Sequence, residues 1–246
     1  MKIGDREVKR VGLGTNRLDN TPANRAFLHD AVDAGLDHID TAHLYRSGES
    51  ERAIGEALAP FPDHLTVATK GGYHNQSRLR DELEQSLQSL RADAVDLFYL
   101  HRVGDVPIEE SVGLLDELRR EGKIRNIGIS DVSIGGIDRA KAVAPIAAVQ
   151  NEYSLAERKH DEVIDFCAVE GIAFVPFFPL RGGNAKVDEI AQSRGISPNQ
   201  VKLAWLLKRS PVIAPIPGTL NASHLRENLD ALDVELSDEE FEALSG

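Results

Sequence analysis

The sequence predicts an α/β fold: a (β/α)8 (TIM) barrel with an N-terminal β-hairpin and extra helices near its C-terminus. Three observations carry this. Short apolar strand patterns alternate with amphipathic helix patterns, and eight strand–helix units can be counted. A helix between successive strands forces parallel pairing with right-handed crossovers. The 246 residues match the ~250 that eight such units occupy on closure. No Pro/Gly/Ser-rich linker divides the chain, so residues 1–246 are expected to form one domain.

The elements follow in order. Ile3-Gly4-Asp5-Arg6 reads as a tight turn in which glycine supplies a positive φ, pairing Lys2-Ile3 with Glu7-Val8. The first barrel strand is Arg10–Thr15. Thr21-Pro22 opens a helix, a hydroxyl cap followed by a residue with no N–H to waste, and Gly35 closes it. Strand and helix then alternate: 38–40 and 49–58, 65–69 and 79–90, 95–100 and 108–121. The next pairs are 124–129 with 134–143, 146–149 with 161–170, and 172–175 with 187–194. Leu79, Leu83, Leu87 and Leu90 share one helical face. Ser197-Pro198 caps an additional helix reaching Arg209. The last strand is 212–216, and a helix follows from Ala222. Ser237-Asp238-Glu239-Glu240 is a capping box before a final short helix.

Composition narrows the function. A net charge of -12 argues against non-specific nucleic-acid binding, which needs cationic surface to release counterions. No apolar run reaches membrane-spanning length, and the charged N-terminus lacks a signal core. A cytoplasmic protein with no membrane or nucleic-acid partner is expected. The lone Cys167, among Val163, Ile164 and Phe166, reads as a small buried apolar residue rather than a nucleophile.

In this fold chemistry sits where strands end. Asp40 ends one strand and Tyr45 follows in its loop; Lys70 and His101 end the next two. Singly, each has an ordinary reading: Asp40 a turn residue, Tyr45 a loop aromatic, His101 a satisfied structural histidine. Lys70 is less ordinary, because a buried ammonium needs a partner. Together they compose a proton-donating site. Hydride addition to a carbonyl builds negative charge on oxygen, and a proton must arrive there; a phenol is a weak acid for that task. A neighbouring ammonium is expected to lower the phenol's pKa, and an aspartate to keep that ammonium charged. A histidine can donate to the carbonyl oxygen.

These residues stand in a longer series: Gly12-Leu13-Gly14-Thr15, Asp40-Thr41-Ala42-His43-Leu44-Tyr45, Ala68-Thr69-Lys70, Leu100-His101, Gly128-Ile129-Ser130, Gln150-Asn151-Glu152-Tyr153, Pro176–Leu180, Ile216-Pro217-Gly218 and Glu227-Asn228. In this order they resemble the aldo-keto reductases. The resemblance spans nearly the whole chain. It implies an NADPH-dependent oxidoreductase, with NADH as an alternative coenzyme, that reduces aldehydes or ketones. It also implies a monomer. The implied catalytic residues are Asp40, Tyr45, Lys70 and His101. The implied cofactor residues are Thr15, Ser130, Asp131, Gln150, Phe177, Pro179, Leu180 and Arg181, with Ser130 and Gln150 at the nicotinamide carboxamide, Phe177 at its ring, and Leu180 and Arg181 toward the pyrophosphate. Gly218, Thr219, His224, Glu227 and Asn228 complete them at the adenosine end.

Several positions depart from the family's habit. Asp131 stands where asparagine is common, and Phe177 where a tyrosine usually stacks on the nicotinamide. Gly218, Thr219 and His224 replace the lysine or arginine that often clamps the 2′-phosphate, which weakens phosphate discrimination. The connections after His101 and Leu180 are short, and the chain ends at Gly246 soon after the last helix. An open, shallow substrate mouth is expected. Arg46, Arg102 and Arg181 read as solvated rim charges, or one or two of them as groups that attract an anionic substrate or the pyrophosphate. Pro176–Leu180 and Gln150–Leu155 look like bacterial members associated with pyridoxal-type aldehydes. Two other functions use the same residues: a Schiff-base aldolase with Lys70 as nucleophile, and a cofactor-binding regulatory subunit of the channel-associated kind. No metal site is expected.

Overall fold

The computed structural model describes residues 1–104 and 106–246. A two-stranded hairpin, β1 (Lys2–Ile3) and β2 (Arg6–Glu7), precedes the main sheet. Lys2 pairs with Glu7 and Ile3 with Arg6, one residue earlier than the sequence suggested. The reason is that Gly4 (φ +61) and Asp5 alone form the two-residue turn. Val8 still donates its N–H to Met1, extending the pairing.

The main sheet is parallel throughout: β3 (Leu13–Gly14), β4 (His38–Asp40), β5 (Thr66–Gly71), β6 (Val95–Leu100), β7 (Ile124–Ser130), β8 (Ala148–Gln150) and β9 (Ala173–Phe174). The eighth position is filled by residues 212–218, which join through backbone hydrogen bonds and isolated bridges rather than a regular strand. Phe174 N–H donates to Val212 and Ala214 N–H to Phe174 on one side; Gly12 N–H donates to Pro215 and Gly14 N–H to Pro217 on the other. Pro215 and Pro217 carry no N–H, so this ladder is interrupted. The ring still closes, and the Arg10 guanidinium ties it by donating to the carbonyls of Leu207 and Ile213.

Outside the ring lie α1 (Pro22–Asp33), α2 (Glu49–Leu58), α3 (Leu79–Leu90), α4 (Ile108–Arg120), α5 (Ile134–Lys141), α6 (Asp161–Glu170) and α7 (Ala185–Arg194). After them come α8 (Pro198–Arg209), α9 (Ala222–Asp230) and α10 (Asp238–Ser245). Caps sit where the sequence placed them. Thr21 accepts from Asn24 N–H, and Ser197 and Ser237 each form a capping box. Cys167 is buried, with its thiol pushed up to about 12 by desolvation.

There are two cores, because alternate strand residues face opposite ways. One cluster fills the space between sheet and helices. The other lies inside the ring and contains Ala68, Leu97, Tyr99, Ala148, Ala173, Val175 and Ala214. Ile3 and Val8 belong to the inner cluster, so the hairpin stoppers the ring at the strands' N-terminal end. Parity then fixes the mouth. Asp40 is two residues past His38, Lys70 two past Ala68, His101 two past Tyr99, and Gln150 two past Ala148. Each continues its strand's inward-facing set at the carboxyl end. Among the described residues, no helix is long and apolar enough to cross a membrane.

Candidate active site

The inward residues at the strand ends meet in one cluster. Lys70 is fully buried; its ammonium donates to the Asp40 carboxylate and, at 2.7 Å, to the Thr41 carbonyl. The Gln150 amide donates to the other Asp40 oxygen at 2.9 Å. The Lys70 Nζ lies 5.2 Å from the centroid of the Tyr45 ring and interacts with the phenol hydroxyl. Tyr45 opens a short helical turn over residues 45–48 in which Arg46 and Ser47 both hold positive φ. That turn brings the phenol back over the ring of strands. The His101 imidazole stands edge-on to Tyr45, with centroids 5.9 Å apart.

The electrostatics follow from burial and neighbours. Desolvation pulls the Lys70 pKa down, but Asp40 and Tyr45 more than offset it, so the ammonium is held above its ordinary range. Tyr45 differs from the sequence expectation. Lys70 does pull its pKa down, but desolvation is the larger effect and the net shift is upward. The phenol is therefore held protonated. The influence of Lys70 is to stabilise phenolate when a proton departs. His101 is driven down to about 3, first by desolvation, then by Lys70 and His74, and is a neutral imidazole.

A cavity of about 630 Å³ opens above the cluster. Asp40, Tyr45 and His101 line it, and Lys70 stands behind them. Of the expected cofactor residues, Thr15, Ser130, Asp131, Gln150, Phe177, Pro179, Leu180, Arg181 and Gly218 also line it. A second cavity of about 400 Å³ shares Gly14 to Arg17 and Gly218 with the first, and adds Thr219, Asn221 and His224. The two form one trough from Tyr45 to the start of α9. Glu227 and Asn228 line neither; they lie further along α9, where Asn228 is buried.

Several side chains are already engaged. The Thr15 hydroxyl donates to the Asp40 carbonyl at 2.9 Å within a buried chain that includes Ser50 and Thr41. Ser130 donates to the Gln150 carbonyl at 2.7 Å. Asp131 is exposed at φ +59. Arg181 pairs with Glu152 and lies 3.8 Å over the Phe178 ring, and Arg46 pairs with Asp19.

The structure adds residues that strand-end reasoning passed over. Tyr73 and Phe178 are exposed aromatics on the cavity wall, and Asn16 and Arg17 line both cavities. Tyr73 follows a Gly71-Gly72 pair just beyond Lys70. A loop aromatic so close to a reactive strand end was the available signal. The connection after β6 contributes Arg102; Asp105 in the same connection lies outside the described residues. The short step from Leu180 to α7 runs through Gly182 (φ +80) and Gly183 (φ +134). Among the described residues, no group of acidic, histidine or cysteine side chains could hold a metal.

The sequence profile of the Aldo/keto reductase family matches residues 10–246. The chain is 36% identical to pyridoxine 4-dehydrogenase of Escherichia coli K12 over 275 aligned positions, covering 99% of this chain and 96% of that protein. A crystal structure of a thermostable aldo-keto reductase bound to the inhibitor epalrestat superposes with a TM-score of 0.91 at 30% identity, covering 100% and 98% of the two chains. An aldo-keto reductase from Klebsiella pneumoniae in complex with NADPH gives 0.87 at 30% identity, covering 96% and 90%.

Proposed function

The chain belongs to the aldo-keto reductase family, and from that premise we propose that it reduces small aldehydes or ketones with NADPH, using Tyr45 as the acid. The observation that carries this reading is the fully buried Lys70 ammonium, fixed by Asp40 and set against the Tyr45 phenol. Residues 1–246 act as one domain, in the cytoplasm, as a monomer.

The trough suits an extended dinucleotide. Gln150 commits its amide N–H to Asp40, which leaves its oxygen to accept from a nicotinamide carboxamide. Phe177 offers a ring for stacking, and the backbone from Pro179 to Arg181 lies where a pyrophosphate would pass. The first turn of α9, with His224 and the neighbouring Thr219, would hold the 2′-phosphate. When bound, NADPH supplies the hydride.

The chain's own groups handle the proton. Tyr45, protonated at neutral pH, lies beside the cavity and delivers its hydroxyl proton to the substrate oxygen. Lys70 stabilises the phenolate left behind, and Asp40 keeps Lys70 charged. His101, neutral and facing the same cavity, donates a hydrogen bond that orients the carbonyl. A lysine nucleophile for Schiff-base chemistry is opposed by the same Asp40, because such a nucleophile must be neutral.

For substrate we propose a flat heteroaromatic aldehyde of the pyridoxal type. The exposed rings of Tyr73 and Phe178 on the cavity wall support it, as does the likeness to a pyridoxine dehydrogenase. The test is NADPH and NADH oxidation across simple aldehydes, α-dicarbonyls and pyridoxal. Turnover of pyridoxal with NADPH above the others is expected. No oxidation of either coenzyme with any carbonyl would end the proposal.

A further inference from the structure

Lys70, Tyr99 and Gly128 stand side by side in register across β5, β6 and β7. Tyr99 is fully buried inside the ring of strands, and its ring centroid lies 5.7 Å from the Lys70 Nζ. The ammonium is thus flanked by two phenol rings: Tyr45, which faces the cavity, and Tyr99, which does not.

The neighbouring strand makes room for this second ring. A Cβ on Gly128 would fall 2.3 Å from Tyr99 Cδ1 and 2.5 Å from Cε1. Only a residue without a side chain lets the phenol lie there. Packing alone does not call for a tyrosine. Its hydroxyl is buried beside the Gln150 carboxamide without a well-formed hydrogen bond of its own, and an unpaired buried hydroxyl is costly. A leucine or methionine would carry no such cost. What an aliphatic chain cannot supply is an aromatic ring within ~6 Å of a desolvated ammonium, where cation–π attraction is strongest.

We propose that Tyr99 is a positioning residue whose ring forms the inner wall of the Lys70 pocket, adding to the stabilisation of that ammonium and directing it at the Tyr45 hydroxyl. The inference rests on the reading of Tyr45 and Lys70 given above, and it adds a member that no cavity reveals. Other groups also face Lys70: Asp40 and His38 from β4, Tyr45 from the turn after it, Glu51 from α2, and His101 just beyond β6. Asp40 is the only one of these in direct ionic contact. The ring therefore acts alongside the carboxylate, from another strand.

The test uses the full chain carrying lysine labelled with ¹³C at Cε, with the Lys70 resonance identified by its absence in Lys70→Met. Its alkaline titration is compared in the unsubstituted protein, Tyr99→Phe, Tyr99→Leu and Tyr99→Met. The midpoint is expected to fall by roughly one pH unit in the Leu and Met variants, and to hold in Phe, which keeps the ring. Carbonyl turnover with NADPH should fall about tenfold in the same two variants and recover in Phe, with NADPH affinity unchanged. An unmoved Lys70 midpoint in the aliphatic variants overturns the proposal even if kcat falls, since lost packing alone would lower kcat. Two aliphatic variants are used so that misfolding of one leaves the other to decide. Failure of the unsubstituted protein to reduce any carbonyl would refute the catalytic reading, while the titration would still decide the role of Tyr99.

Discussion

The Gln150 amide donates to the Asp40 carboxylate at 2.9 Å, joining β8 to β4 across the mouth of the barrel. The other Asp40 oxygen takes the Lys70 ammonium. The aspartate is therefore locked from two sides, and the lysine's position is set by a carboxylate that cannot turn. Gln150 links the proton-handling cluster to the wall expected to hold the nicotinamide.

Tyr45→Phe removes the proton and keeps the ring. Turnover should fall by at least about 10²-fold, the usual contribution of a positioned acid. Coenzyme binding, read as quenching of protein fluorescence, should stay within about twofold. A variant with undiminished turnover would show that another group supplies the proton.

Lys70→Met leaves Asp40 buried without its cation. Removing one partner of a buried pair costs about 3–5 kcal/mol, and urea denaturation should show a loss of that order. Asp40→Asn combined with Lys70→Met should be more stable than Lys70→Met alone, because no isolated charge is then buried. Equal losses for the single and double variants would mean the carboxylate is relieved in some other way.

The depressed His101 predicts how stability depends on acid. Its folded pKa is about 3 against an ordinary 6.5, so between those values the unfolded chain binds the proton and the native chain does not. Stability from this group is present above about pH 6.5 and lost as pH falls toward about 3. His38, His43 and His160 are also lowered by burial and add to the slope. Melting temperature should drop across this window, less steeply in His101→Gln. Catalysis, in turn, should show no acid limb near pH 6 arising from His101.

Gly128→Ala should disturb the site without touching it. The added methyl overlaps the Tyr99 ring, and overpacking of this kind costs about 1–3 kcal/mol. Thermal unfolding and kcat should fall together. Glycine at this strand position has no turn to make; its role is to leave space.

His224→Arg should favour the phosphorylated coenzyme. His224 is exposed in the first turn of α9 beside Thr219, and a guanidinium there can clamp a phosphate bidentately. NADPH affinity should rise about tenfold, roughly 1.4 kcal/mol, with NADH affinity unchanged. Equal gains for both coenzymes would mean the 2′-phosphate sits elsewhere.

The sequence by itself determined the order of elements, their caps and the residues at the strand ends. Those are local properties: periodicity of apolar residues, a hydroxyl before a helix, a polar residue closing an apolar run. Asp40, Lys70 and His101 could be picked out because each closes an apolar strand pattern, and Tyr45 because it follows in the loop after one. The tertiary structure alone decided how the groups act on one another. It showed that burial outweighs Lys70 at the Tyr45 phenol, that Gln150 holds Asp40, and that Tyr99 lies against Lys70 over a glycine. It also showed that the eighth position closes through bridges around two prolines. Desolvation, cross-strand register and contacts between residues many positions apart depend on where the ring brings strands together, and no local pattern encodes those distances.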